Sequence, residues 1–303
     1  MNYDEIITFL SAVEHENIAK AANLLFISQG TASSRIQHLE KKLGVQLLFR
    51  QKGIKTVTLT PEGEVFITIA QQMLSLWKQA EQIKTRLIFK ELRIAAVDML
   101  NRFMFADVYK EFMITNPDIT LYLQTEHSTE IHQLIESQQI DLGFVFSLHK
   151  SPNVIAMPLY QEQLVFLYHQ NTVFAHTQNP QDLKTQYEIY STISNEFELW
   201  HRRRFSDPDH KRITIGTLSM LPSFLSDTTL WSIVPESFAS VMIGRNPNLR
   251  YTPITEDPPP IRTAYILIYK YPKPWVRDLA NLFLKDIVIM IRQNPSLQLL
   301  YKE

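Results

Sequence analysis

The stretch Ile18-Ala19-Lys20-Ala21-Ala22-Asn23-Leu24-Leu25-Phe26-Ile27-Ser28-Gln29-Gly30-Thr31-Ala32-Ser33-Ser34-Arg35-Ile36-Gln37-His38-Leu39-Glu40-Lys41-Lys42-Leu43-Gly44 decides the fold of the amino-terminal region. Asn17 is placed to cap a helix over Ile18–Leu25, and Ser28 to cap another that runs to Leu43 and ends on Gly44. Ala32, Ile36, Leu39 and Leu43 fall on one face of the second helix, the stripe that packs inward. Gly30, Thr31, Ser34, Arg35, His38 and Lys41 face away or sit at its flank. Upstream, Ile6, Phe9, Leu10 and Val13 recur at helical spacing. Downstream, Leu47–Phe49 and Val57–Leu59 read as a small hairpin around a Gln51-Lys52-Gly53 turn.

The outward face of the Ser28-capped helix suits a major groove. Small side chains allow close approach to base edges, Gln29 can donate or accept there and Arg35 can donate, and the helix amino terminus favours phosphate. Charge agrees. The chain has 303 residues and a formal net charge of −1, but residues 1–90 carry a net +3 and residues 91–303 a net −4. Within 18–60, seven cations stand against one acid, Glu40. A short basic segment on an acidic body is the distribution of a nucleic-acid module attached to something else.

Thr60-Pro61 supplies a cap and a first-turn proline for a further helix. Phe66, Ile69, Met73, Leu76, Ala80, Ile83 and Leu87 then alternate spacings of three and four, a heptad seam that either lies along the body of the chain or pairs two copies. Pairing is favoured, because a charged body covers so long an apolar stripe poorly. From Leu92 onward strands and helices alternate. Strands are expected at Leu92–Val97, Ile119–Gln124, Ile140–Phe146, Leu164–Tyr168, Trp231–Val234 and Thr263–Tyr269. Helices are expected at Met99–Thr115, Thr129–Gln139, Pro235–Ile243 and Trp275–Arg292, which together imply βαβ units and largely parallel sheets.

The amino-terminal pattern resembles that of the LysR-type transcriptional regulators. The residues that carry the resemblance are Ala21-Ala22, Ile27-Ser28-Gln29, Ser33, Ile36, Leu39-Glu40 and Leu43-Gly44, followed by Leu47, Arg50 and Leu59-Thr60-Pro61-Glu62-Gly63. About 85 residues match at this level, and the rest matches in layout. Departures are Gly30 where the family usually has Pro, Ser34 where Arg is common, and Leu48-Phe49 where the wing aromatic falls one place earlier. The resemblance implies an α/β protein with an amino-terminal winged helix-turn-helix (1–60), a linker and dimerisation helix (61–89) and a two-lobed effector-binding domain of the periplasmic-binding-protein type (90–303). Lobe I would take about 90–162 and 265–303, and lobe II about 163–264.

It also implies double-stranded DNA, a small-molecule effector and a second copy of the chain as partners, with a homodimer or homotetramer as the assembly. Gln29, Thr31, Ser34 and Arg35 are then base-reading candidates; Ser28, Ser33 and His38 fit phosphate. Arg50, Lys52 and Lys55 in the wing would meet backbone or minor groove, or remain ordinary solvated charges. Ligands in open α/β sheets sit beyond the carboxyl ends of strands. That nominates Asp98, Met99, Ser128, Thr129, Phe146 and Ser147 from lobe I, with Asn195 and Thr217 from lobe II. Asp98 stands where the family commonly has Ser or Thr, and it and Ser128 are equally plausible as helix caps.

Other chemistries find little here. No GxGxxG, P-loop, HExxH or GxSxG can be written, and there is no cysteine, so phosphate loops, thiolate zinc sites and Cys nucleophiles are excluded and neither a metal nor a cofactor is expected. His201-Arg202-Arg203-Arg204 reads as a solvated helix face or, less favourably, an anion site. The acidic start Met1-Asn2-Tyr3-Asp4-Glu5 is unlike a secretory signal and no apolar run approaches a membrane span, which predicts a cytoplasmic protein without a membrane partner. Two alternatives to an effector-modulated regulator stay open: an enzyme or small-molecule-binding protein with an accessory DNA module, and a regulator without an effector.

Overall fold

The computed structural model describes residues 1–49, 57–81, 90–205 and 211–302. It divides into two compact units: Met1–Phe89 with Gln133–Gln139, and Lys90–His132 with Ile140–Glu303.

The first unit opens with α1 (Tyr3–Glu14), α2 (Ile18–Leu24) and α3 (Gln29–Leu43). Each helix starts on a side-chain cap that satisfies orphan amides. Asn2 accepts from Glu5 N at 2.9 Å, Asn17 from Ala19 N at 2.8 Å, and Ser28 Oγ from Thr31 N at 3.0 Å. Helix α3 stops at Gly44, whose φ of 72° lies in the left-handed region. Ile6, Phe9, Ala12, Ala21, Ile36 and Leu39 form the core where the three helices meet.

A hairpin follows, with β1 (Leu48–Phe49) antiparallel to β2 (Thr58–Leu59). Glu40, the lone acid of the basic segment, is buried and accepts from Leu47 N at 3.0 Å and Leu48 N at 3.2 Å. Its carboxylate thereby fixes the hairpin to the end of α3. Helix α4 (Pro61–Glu81) begins where Thr60 Oγ1 accepts from Gly63 N at 3.0 Å and donates to Gln46 O at 2.6 Å. At Gly63 a Cβ would lie 2.1 Å from Leu47 O, so only glycine lets the helix approach the strand this closely.

The α4 seam divides. Phe66 is buried with its ring centroid 5.5 Å from that of Phe9, and Met73 is half-buried on the same core. Phe66 is therefore packed inside its own domain. Ile69 and Leu76 remain 45% and 52% exposed, and Ala80 is exposed too. Ile83 and Leu87 lie outside the described residues.

The second unit is built on a six-stranded sheet in the order β13-β6-β12-β5-β3-β4. Its strands are β3 (Lys90–Ala96), β4 (Ile119–Thr125), β5 (Leu142–Val145), β6 (Val154–Glu162), β12 (Arg262–Tyr269) and β13 (Gln298–Leu299). Strand β3 runs parallel to β4 and β5, whereas β12 is antiparallel to β5 and β6. The second lobe holds β7 (Leu164–His169) between β10 (Trp231–Pro235) and β11 (Leu249–Pro253), both antiparallel to it. A parallel pair, β8 (Ile189–Ser191) and β9 (Ile213–Ile215), joins β10 through a Glu188–Trp231 bridge. The expected largely parallel sheets are thus mixed. The chain leaves the large sheet at Glu162 and re-enters it at Arg262, and these crossing strands pair antiparallel to their neighbours.

Helices α5 (Ala106–Thr115) and α10 (Pro274–Gln293) belong with the large sheet; α7 (Val173–Thr177), α8 (Asn195–Arg204) and α9 (Glu236–Arg245) belong with the small ones; α6 (Ser128–Glu136) starts in the second unit, and its residues from Gln133 on count with the first. The helix expected over Met99–Thr115 is broken. A π-turn at Leu100–Met104, closed by Phe105 N on Leu100 O at 2.8 Å, precedes α5. Asn101 fills the irregular turn: its Nδ2 donates to Gln124 O at 2.9 Å and Thr125 Oγ1 at 2.8 Å, while its Oδ1 accepts from Tyr109 OH at 2.6 Å.

Candidate nucleic-acid interface and interlobe cleft

On α3 the residues turned to solvent are Gln29, Gly30, Thr31, Ser34, Gln37, His38, Lys41 and Lys42. Gln37 was missed from the sequence, although it lies one helical turn beyond Ser34 on the same face. Ser28 and Thr31 have their hydroxyls 2.8 Å apart, so Ser28 is committed to the helix start. Ser33 is half-buried at the flank.

Arg35 departs from expectation. Its guanidinium turns back to α1 and pairs with Asp4 at 2.8 Å, with Thr8 Oγ1 at 3.5 Å. One position before the buried Ile36, it reaches the neighbouring helix rather than the open face. Lys42 is similarly held by Glu5 at 2.7 Å. Burial opposes ionisation of the Glu5 carboxyl, but Lys42, helped by Asn2 N, outweighs it and holds the group below its usual value. Two of the seven cations of the segment are therefore neutralised by the first turn of α1. Lys20 and Lys41 are exposed, and the wing candidates Arg50, Lys52 and Lys55 lie outside the described residues.

In the second unit, Asp98 follows β3 and Thr217 follows β9, on opposite lobes. Thr217 Oγ1 donates to Asp98 Oδ2 at 2.5 Å, so two cleft candidates meet each other directly. Asp98 is not a helix cap: Leu100 N and Asn101 N both turn to Val97 O. Arg102 is exposed, and the partner of Asp98 is the hydroxyl. Met99 is buried in the core and lines no open surface. Ser128 is the first residue of α6 rather than its cap, with Ile131 N bonding to His127 O.

His132 Nδ1 donates to Ser128 O at 2.8 Å, and its Nε2 accepts from His149 N at 3.2 Å. His149 Nε2 lies 3.1 Å from Thr129 Oγ1. Burial, aided by His149, depresses His132 below the usual histidine range against the pull of Ser128 O. These bonds tie Ser128 and Thr129 to the loop carrying exposed Ser147. Asn195 is exposed at the start of α8, next to the capping Ser194, whose Oγ accepts from Phe197 N at 3.1 Å.

Phe146 leads to a cluster that sequence reasoning missed. The Arg262 guanidinium stands 3.5 Å over its ring, and Arg262 faces Glu162 in the register of the two crossing strands. Glu162 Oε2 accepts from Ser237 Oγ at 2.5 Å and Ser237 N at 3.3 Å, so a lobe I strand caps α9 of lobe II. Burial pushes Glu162 up, while Arg262 and Ser237 hold it down; burial likewise lowers Arg262. Glu162 Oε1 and Arg262 Nε and Nη1 are buried without a hydrogen-bond partner, and burial with the neighbouring Glu162 pushes the Tyr160 hydroxyl well above its usual range. An Arg and a Glu opposed 100 residues apart in sequence give no local signal.

The His201–Arg204 run resolves toward structure. His201 is fully buried with Nε2 at 2.8 Å from Glu188 Oε2, Arg202 pairs with Glu198, and Arg203 with Asp257 at 3.0 Å. Among the described residues no His/Asp/Glu group could hold a metal ion, and no helix is long and apolar enough to cross a membrane.

The fold places the chain among winged helix-turn-helix proteins that carry a two-lobed α/β domain. Residues 3–64 match the model of the bacterial regulatory helix-turn-helix protein of the lysR family, and residues 87–285 match the LysR substrate binding domain. The chain belongs to the LysR family. It is 30% identical over 223 residues to the Hca operon transcriptional activator HcaR of Escherichia coli K12, covering 69% of this chain and 74% of that one. It is also 29% identical over 165 residues to the transcriptional regulator CysL of Bacillus subtilis, a match that spans about half the length of each (54%). In fold it is similar to a single-site variant of full-length OxyR from Pseudomonas aeruginosa (TM-score 0.66, 17% identity, 100% and 99% of the two chains covered). The same holds for CbnR solved with its target DNA (TM-score 0.59, 20% identity, 97% and 99% covered).

Proposed function

We propose that the chain is a cytoplasmic, sequence-specific regulator of transcription. It binds double-stranded DNA as a homodimer or homotetramer, and a small molecule between the lobes of its second unit modulates it. The observation that carries the reading is the open polar face of α3. Thr31, Ser34, Gln37 and His38 stand on a capped, well-packed helix of a family whose named relatives are transcriptional regulators. Small polar side chains at the amino-terminal half of such a helix fit base edges. The exposed Ile69 and Leu76 on α4 support pairing of two copies.

The test is a footprint on the DNA upstream of its own gene with wild-type protein and with Ser34→Glu, whose side chain would meet the duplex with a negative charge. Protection that disappears in the variant is expected. Equal protection by both proteins would overturn the assignment of α3.

The Asp98–Thr217 bond favours one second reading, a regulator with no effector whose lobes are latched by their own side chains. A thermal-shift screen of metabolites on the full chain separates the two: a ligand raises the melting temperature in the first and none does in the second.

A further inference from the structure

Helix α2 ends in a motif that makes its own demand on sequence. Ile27 N donates to Ala22 O at 3.0 Å and Phe26 N to Asn23 O at 3.2 Å, the paired bonds of a Schellman cap. The residue between them must adopt left-handed backbone, and Phe26 does so with φ of 55°. Glycine or asparagine takes that conformation at little cost, whereas a bulky residue is strained there. Nothing in the domain repays the strain by burial, because Phe26 is 96% exposed, beyond every other large apolar side chain described. The strain at this position is therefore not offset by any burial.

The position is also particular. Phe26 stands two residues before Ser28, the cap of α3, beside the exposed Gln29 and Thr31. A helix entering the major groove amino-terminus first brings the turn before it against the sugar-phosphate rim of that groove. The rim offers one surface that is not charged, the face of the deoxyribose. We propose that Phe26 lays its ring on a deoxyribose beside the recognition helix, as an apolar clamp that sets the depth of α3. The proposal rests on α3 being the DNA-reading helix.

Phe26→Asn and Phe26→Gly test it in the full-length protein, since both replacements suit left-handed backbone and should fold at least as well. Affinity is measured over a range of salt for the protein's own upstream region and for an unrelated duplex of equal length. The expected result is a melting temperature equal to or above wild type with binding weakened roughly fivefold on both duplexes, the scale of losing a partly covered aromatic side chain. The log–log salt slope should stay unchanged, because no phosphate contact is lost. Phe26→Tyr, which keeps the ring, should bind like wild type. Unchanged affinity in Phe26→Asn overturns the proposal, and a loss confined to the upstream region would replace the sugar contact by a base contact and overturn it as well. Failure of wild type to prefer its upstream region counts instead against the regulatory reading, and the ring's contact is still read on the unrelated duplex.

Discussion

Removing the Thr217 hydroxyl should loosen the two lobes by an amount the geometry sets. The bond to Asp98 is 2.5 Å long and ends on a carboxylate, a kind worth about 1.5–3 kcal/mol when buried. Both residues are half-buried, so water reduces it to about 1 kcal/mol. Thr217 has a second duty, capping Ser219 N at 3.4 Å, a long bond worth about 0.5 kcal/mol. Thr217→Val should then cost about 1.5 kcal/mol, Asp98→Ala about 1, and the double variant no more than about 1.5, leaving a coupling of about 1 kcal/mol. Urea unfolding followed by tryptophan fluorescence in a Trp77→Phe background reports the second unit, through Trp200, Trp231 and Trp275. Costs that simply add, with a coupling under about 0.3 kcal/mol, would refute the latch. If the coupling appears, it is also a fivefold bias toward closed lobes that any effector must exceed, at RT of about 0.6 kcal/mol.

Leu76→Glu should split the oligomer in sedimentation velocity while leaving the melting temperature of the first unit nearly unchanged. Phe66→Ala should instead cost that unit about 3–5 kcal/mol; the opposite pattern would return Phe66 to the interface. His132 is held neutral in the fold with a pKa below 6.5, so unfolded chains take up its proton first as the pH falls. Its stabilisation is complete above about pH 6.5 and is lost as the pH falls toward the depressed folded pKa, so wild-type stability should fall faster than that of His132→Asn below about pH 6.5. Parallel melting curves would remove His132 from that role. Asp4→Asn frees Arg35, and if Arg35 can reach phosphate the salt slope of DNA binding should steepen by up to about 0.9. An unchanged slope would leave it a purely structural cation.

The elements that were legible in the sequence are those with local rules. Asn17, Ser28, Gly44 and Thr60-Pro61 mark helix ends by capping chemistry alone, and the structure puts the caps and stop on those residues. Strand β6 was invisible for an equally local reason: Pro158 interrupts it. The proline is tolerated because the register with β12 slips there, Tyr265 opposing Pro158 while Ala264 opposes Tyr160, and because β13 pairs only with Tyr160 and Gln161. The strand-end rule nominates the cleft, but it cannot say which candidates meet one another. Asp98 and Thr217 are 119 residues apart, Arg35 and Asp4 are 31 apart, and such pairings arise only from packing.

The crossing strands also say where this protein, read as a ligand-responsive regulator, would trade robustness for responsiveness. The hydroxyl of Tyr160 is fully buried and desolvated, and Tyr160→Phe would recover up to about 1 kcal/mol while changing no shape. A laboratory selection for heat resistance should find that substitution early. On the proposed reading a lineage selected to respond would have reason to refuse it, since stability added where a protein must move commonly costs function. An evolved thermostable variant of this chain would then be the better specimen and the poorer sensor.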